Sequence, residues 1–169
     1  MKKIIALATL IASLLTLSQA AENKLTMTTV DGNKLHMTKT PKGLLFDEYK
    51  NKVLFVEIYG HRCPYCIKAI DPYNELQEKY KEKLAIVSVE VGGYDEKKLA
   101  SFDDLYGIEY VNITQKEAGE LVPYVSKLGG FRGMIPFLAI FDKKGDFYKS
   151  ASGPISKKEL EEIIEKLSK

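Results

Sequence analysis

Apolar and polar residues follow two rhythms along this chain, a period of two and a period near 3.6, and the switches between them mark out strands and helices in turn. Leu25 to Val30 and Lys34 to Thr38 alternate around Asp31-Gly32-Asn33, the pattern of a small β-hairpin. Pro41-Lys42-Gly43 then breaks the chain. Val53 to Tyr59 is a β-branched and aromatic run with one acid in it, Glu57, as expected of a central strand buried on both faces. From Cys63 to about Tyr80 the period becomes helical. Pro64 suits a first helical position, where its missing N–H is no loss, and Ile67, Ile70, Tyr73 and Tyr80 line one face.

The alternation continues to the C-terminus. Leu84 to Val91 reads as a second buried strand ended by Gly92-Gly93, Asp95 to Tyr106 as a helix and Ile108 to Ile113 as a strand. Thr114-x-x-Glu117 is a capping box that opens another helix, and Pro123 inside it predicts a kink or a short element. Phe137 to Phe141 and Asp146 to Ala151 flank Asp142-Lys143-Lys144-Gly145 as a second hairpin. Ser156-x-x-Glu159 opens a last helix with Leu160, Ile163, Ile164 and Leu167 on one stripe. Strands and helices in this order predict an α/β fold, a mixed sheet covered by helices.

The first residues follow a different rule. Met1-Lys2-Lys3 is basic, Ile4 to Leu17 is apolar, and Ser18-Gln19-Ala20 offers the small residues that a signal peptidase reads. Residues 1–20 are expected to be a signal peptide cleaved after Ala20 or Ala21, since the apolar run is shorter than the ~20 residues of a bilayer span. No cysteine lies near the cleavage point to take a lipid, so residues 21–169 are expected to form one exported domain without stable membrane insertion. Removing Lys2 and Lys3 takes the formal charge from +2 to zero. That balance argues against nucleic acid or an anionic membrane as partner, both of which need a basic excess.

Export changes the meaning of the two cysteines, which are both in Cys63-Pro64-Tyr65-Cys66. Secreted proteins use cysteines as staples between distant segments. A bridge across so short a loop contributes only about 2 kcal/mol on the loop-entropy account. Exchange chemistry is the better reason for the pair. At the start of a helix, free N–H groups and the positive end of the dipole favour a thiolate at Cys63, and Arg62 pushes the same way. Such a thiolate attacks a partner disulfide or leaves as the protein donates its own, and Cys66, one turn on, resolves the intermediate. Half of a zinc site is the competing reading, but it would need two more ligands, from His36 and His61, and the His-x-Cys-x-x-Cys cluster is cramped for one tetrahedral metal. Ile67 stands where haem attachment requires His. His61 reads as a solvated loop residue.

The strand–CxxC–helix unit, the Ile135-Pro136 dipeptide opening a later strand, the hairpin and the last amphipathic helix together resemble the thioredoxin superfamily over nearly the whole mature chain. Gly43-Leu44-Leu45-Phe46, Tyr49-Lys50-Asn51-Lys52 and the stretch from Leu105-Tyr106-Gly107-Ile108 to Gly130-Phe131-Arg132-Gly133-Met134 are similar to its exported TlpA/ResA-like branch. The resemblance implies a thioredoxin-like fold: a central mixed β-sheet flanked by helices, with an N-terminal β-hairpin and a central strand–helix insertion. It implies a Cys63–Cys66 disulfide and a cis bond at Ile135–Pro136, with Ile135, Pro136, Pro64 and Tyr65 meeting the client, Ile135 by β-augmentation. Glu57, six residues before Cys63, matches a buried acid that shuttles the resolving thiol's proton, although the family usually has Asp there. An ordinary strand Glu is the equal alternative. Arg62 replaces a common aromatic residue, and Pro72 comes one position later than usual.

The activity implied is periplasmic thiol–disulfide exchange with proteins, in the reducing direction. The clients would be apocytochrome c cysteines or oxidised thiols, and the electrons would come from a membrane thiol–disulfide reductant of the DsbD/CcdA kind. No metal or other cofactor is expected. A disulfide-donating oxidase and a thiol-based metal carrier stay open as alternatives, and a peroxiredoxin-type peroxidase is disfavoured because Gly60 stands where its Thr or Ser would be.

Overall fold

The structure, a computed structural model, describes residues 23–169. The expected signal peptide, residues 1–20, and its expected cleavage after Ala20 or Ala21 lie outside the described residues. Among the described residues no helix is long and apolar enough to cross a membrane.

The first hairpin forms as its polar turn predicts, with β1 (Lys24–Thr28) antiparallel to β2 (Lys34–Thr40). The chain does not simply break after it. Gly43–Phe46 turns back as β3 and completes an antiparallel three-stranded sheet. Its two hydrophobic neighbours, Leu44 and Phe46, are buried, and this burial draws a short segment into extended pairing.

The second sheet contains β4 (Val53–Tyr59), β5 (Leu84–Glu90), β6 (Val111–Thr114), β7 (Phe137–Phe141) and β8 (Phe147–Ser152), in the order β6-β5-β4-β7-β8. β4, β5 and β6 run parallel, and β7 and β8 are antiparallel additions. β6 starts three residues later than its apolar run predicts. The preceding segment is held irregular instead, with Glu109 N–H donating to Asn74 Oδ1 at 3.0 Å and Ile108 N–H to Asp103 O at 3.0 Å.

Helix α1 (Pro64–Lys79) carries through Pro72, and α2 (Glu96–Tyr106) starts from Asp95, whose side chain accepts from Lys98 N–H. The segment opened by Thr114 is two helices, α3 (Gln115–Ala118) and α4 (Leu121–Gly129), because Gly119 turns the chain with a φ of 49°. Pro123 therefore lies in the first turn of α4, where no N–H is missed, rather than at a kink. Helix α5 (Lys157–Leu167) begins at Ser156, whose hydroxyl accepts from Glu159 N–H.

Alternate residues of β4 supply two layers. Leu54, Val56 and Ile58 pack with Met27, Met37 and Leu44 of the three-stranded sheet and with Leu121 and Val125 of α4. Val53 and Phe55 pack with Tyr73 and Leu76 of α1 and with Leu160 and Ile164 of α5. Tyr59, at the end of the same row, packs with Cys66 and Ile70 of α1 and with Leu99 and Phe102 of α2. The mouth of α1 is thus held over the carboxyl end of β4, the edge at which open α/β sheets place ligand and reaction sites.

Candidate active site

Cys63 is the N-cap of α1 and Pro64 its first residue. Its backbone is extended, and its sulfur accepts a hydrogen bond from Cys66 N–H at 3.2 Å. The residues 60–63 form a turn closed by Cys63 N–H donating to Gly60 O at 2.9 Å. The two cysteines are joined as a disulfide with their Cα atoms 5.2 Å apart. Cys66 is buried and Cys63 only partly so. When the bond is reduced, the Cys66 N–H and the helix dipole are placed to stabilise an anion on Cys63.

Glu57 lies in β4 between Phe55 and Tyr59 in the row that faces α1. It is fully enclosed. Parallel register sets it opposite Ser88 of β5, whose hydroxyl donates to Oε2 at 2.7 Å, while Oε1 has no hydrogen-bond partner among the described residues. Burial pushes its carboxyl up to about 7, against a smaller opposing effect of the Ser88 hydrogen bond. A carboxylic acid in that range both holds and releases a proton near neutrality.

The other expected residues divide into exposed and packed ones. Tyr65 is 60% exposed and Pro64 is exposed with it, on the outer side of the α1 mouth. Ile135 packs, as Cys63 does, against the cluster that contains Tyr59 and Cys66, and Pro136 is buried. The Ile135–Pro136 bond is cis and leads directly into β7. Gly60 keeps this approach close, since a Cβ there would come within 3.0 Å of Ile135 Cδ1. Met134, just before, is exposed.

His61 is not a solvated loop residue. Its side chain is only 8% exposed, its Nδ1 lies 2.8 Å from Glu90 Oε1, and its ring stacks on Tyr94 with centroids 3.7 Å apart. Glu90, at the end of β5, also accepts from the backbone N–H groups of His61 at 3.3 Å, Gly92 at 2.6 Å and Tyr94 at 2.9 Å. Burial raises the Glu90 carboxyl, but the bonds from His61, Tyr94 and Gly92 outweigh it and hold the group below the usual carboxylate range. Glu90, Gly92, Tyr94 and Ser88 were not legible as site residues in the sequence. One signal was present: an acid within a strand that reads as buried on both faces requires a partner.

No family model matches the chain. By sequence it is similar to the thiol-disulfide oxidoreductase ResA of Bacillus thuringiensis subsp. konkukian, 29% identical over 132 residues that make up 75% of this chain and 70% of that protein. The ResA of Bacillus anthracis is 27% identical over 130 residues, with the same coverage. By structure it is similar to a thioredoxin-family thiol:disulfide interchange protein from Chlorobium tepidum TLS, with a TM-score of 0.71 and 19% identity over 87% of this chain and 94% of the other. StoA from Bacillus subtilis has a TM-score of 0.61 and 15% identity over 82% of this chain and 94% of its own. The likeness to these two structures is one of fold.

Proposed function

We propose that this chain is a ResA-like thiol–disulfide oxidoreductase of the thioredoxin superfamily, which reduces disulfides of protein clients outside the cytoplasm through Cys63 and Cys66. The observation that carries this reading is the asymmetry of the pair: one sulfur partly exposed at a helix N-cap, the other buried one turn behind it. In the proposed cycle the Cys63 thiolate attacks a client disulfide, forms a mixed disulfide and expels one client thiolate. Glu57 takes the proton of Cys66. The Cys66 thiolate then attacks Cys63 Sγ, the second client sulfur leaves as thiolate, and the Cys63–Cys66 bond closes, so that two electrons have passed to the client. Ile135 offers its backbone to an extended client segment beside Pro136, with Pro64 and Tyr65 on the opposite rim.

The apolar leader Ile4 to Leu17, with cleavage expected after Ala20 or Ala21, supports a periplasmic or extracellular location. A membrane-bound dithiol donor would return the protein to the reduced state, and apocytochrome c cysteines fit as clients of a ResA-like protein. The direction is tested by the reduction potential of the Cys63–Cys66 couple. A value near ~−270 mV supports a reductant, whereas one near ~−120 mV would turn the proposal into a disulfide donor. The role of each sulfur is tested by Cys66→Ala in cells: it should hold clients as covalent adducts on Cys63, and their absence at normal expression would count against exchange.

A further inference from the structure

The turn that carries the attacking sulfur has an anchor that the exchange steps do not touch. Glu90 gathers the His61 ring and three backbone N–H groups from two loops, one before α1 and one after β5. Gly92 supplies the space for this gathering. A Cβ on it would lie 2.5 Å from Glu90 Oε1 and 2.6 Å from His61 Nδ1, and real Cβ atoms essentially never approach so closely. The Tyr94 ring covers the imidazole from the other side. Since residues 60–63 are one hydrogen-bonded turn, whatever holds His61 also holds Cys63.

We propose that Glu90 is a positioning residue for the nucleophile: by clamping His61, in the space left by Gly92, it keeps Cys63 Sγ at the mouth of α1, within reach of the N–H groups that stabilise the thiolate. The proposal rests on the reading of Cys63 as the attacking thiol. The ionisable groups around the turn are His61 and Arg62 on it, Glu90 from β5, Tyr94 from the loop before α2, and Glu57 below in β4. Among these, Glu90 is an anion held next to the turn. Charge alone therefore makes a clear prediction, that neutralising it would lower the Cys63 pKa. Positioning predicts the reverse, because a released turn withdraws the sulfur from the helix mouth.

The sign of the shift decides between them. The rate of iodoacetamide alkylation of Cys63 is measured against pH in the reduced full-length protein, in Glu90→Ala, Glu90→Gln and Gly92→Ala. Positioning raises the Cys63 pKa by about half a unit or more in Glu90→Ala and Gly92→Ala, about a threefold loss of thiolate below the pKa. Glu90→Gln keeps the volume and moves the pKa in the same direction by less. A fall or no change in Glu90→Ala or Gly92→Ala overturns the proposal. If either fails to fold by circular dichroism, Glu90→Gln decides in the same way. Failure here is distinct from failure of the underlying reading, which would appear as a wild type without disulfide reductase activity or a Cys63→Ser variant that keeps it.

Discussion

Glu57 has one carboxyl oxygen on Ser88 and the other without a partner, and its burial raises its pKa to about 7. An acid whose folded-state pKa lies above its unfolded value binds more protons when folded. Its contribution to stability therefore declines as pH rises from about 4.5 to about 7, by on the order of 3 kcal/mol, and is constant above that window. Glu57→Gln should remove this slope. Urea unfolding of the oxidised protein at pH 5 and pH 8 checks it: the variant gains on the wild type by on the order of 3 kcal/mol between the two, and equal changes would show that Glu57 does not titrate there. If Glu57 is also the base for Cys66, the variant should let the mixed disulfide persist, with resolution slower by about 10²-fold in stopped-flow assays.

At the scale of elements, helix caps and stripes do separate work. The Ser156 cap and the buried row Leu160, Ile163 and Ile164 seat α5 against β4 and α1, far along the chain from the mouth of α1. Leu160→Ala should cost about 2–5 kcal/mol by loss of packing and the cavity left behind. Because α5 does not contribute to the Cys63 turn, the alkylation rate of Cys63 in the folded variant should match wild type; a change would mean that the seat of α1 depends on α5. In α1 the cap is itself the proposed nucleophile. Cys63 has the place that Ser has in α5, which joins helix initiation to thiolate stabilisation in one atom.

Across the whole molecule, the three-stranded sheet is tied to the β7–β8 turn by Leu44 N–H to Gly145 O and Phe147 N–H to Lys42 O, each 2.9 Å. Tyr124 of α4 adds its single hydroxyl proton, shared between Thr40 O at 2.7 Å and Gly43 O at 2.8 Å. A Cβ on Gly43 would strike the backbone of Gly145 and Phe147, so Gly43→Ala should cost about 1–3 kcal/mol by overpacking. If the two sheets unfold as one unit, the thermal transition moves down without splitting; two transitions would show separate units. The order of strands and helices, the helix starts at Asp95, Thr114 and Ser156, and the CxxC at a helix N-terminus could all be read from residue order, because caps, turns and periodicity act over three or four neighbours. The third strand and the break at Gly119 could not, since burial and a single positive φ decided them. Nor could the contacts that define the site. Glu57 meets Ser88 and His61 meets Glu90 across 31 and 29 residues of chain, because the parallel register of β4 on β5 aligns Glu57 with Ser88 and Tyr59 with Glu90. Local preference makes the elements, but only their packing selects which distant polar groups share a space from which water is excluded.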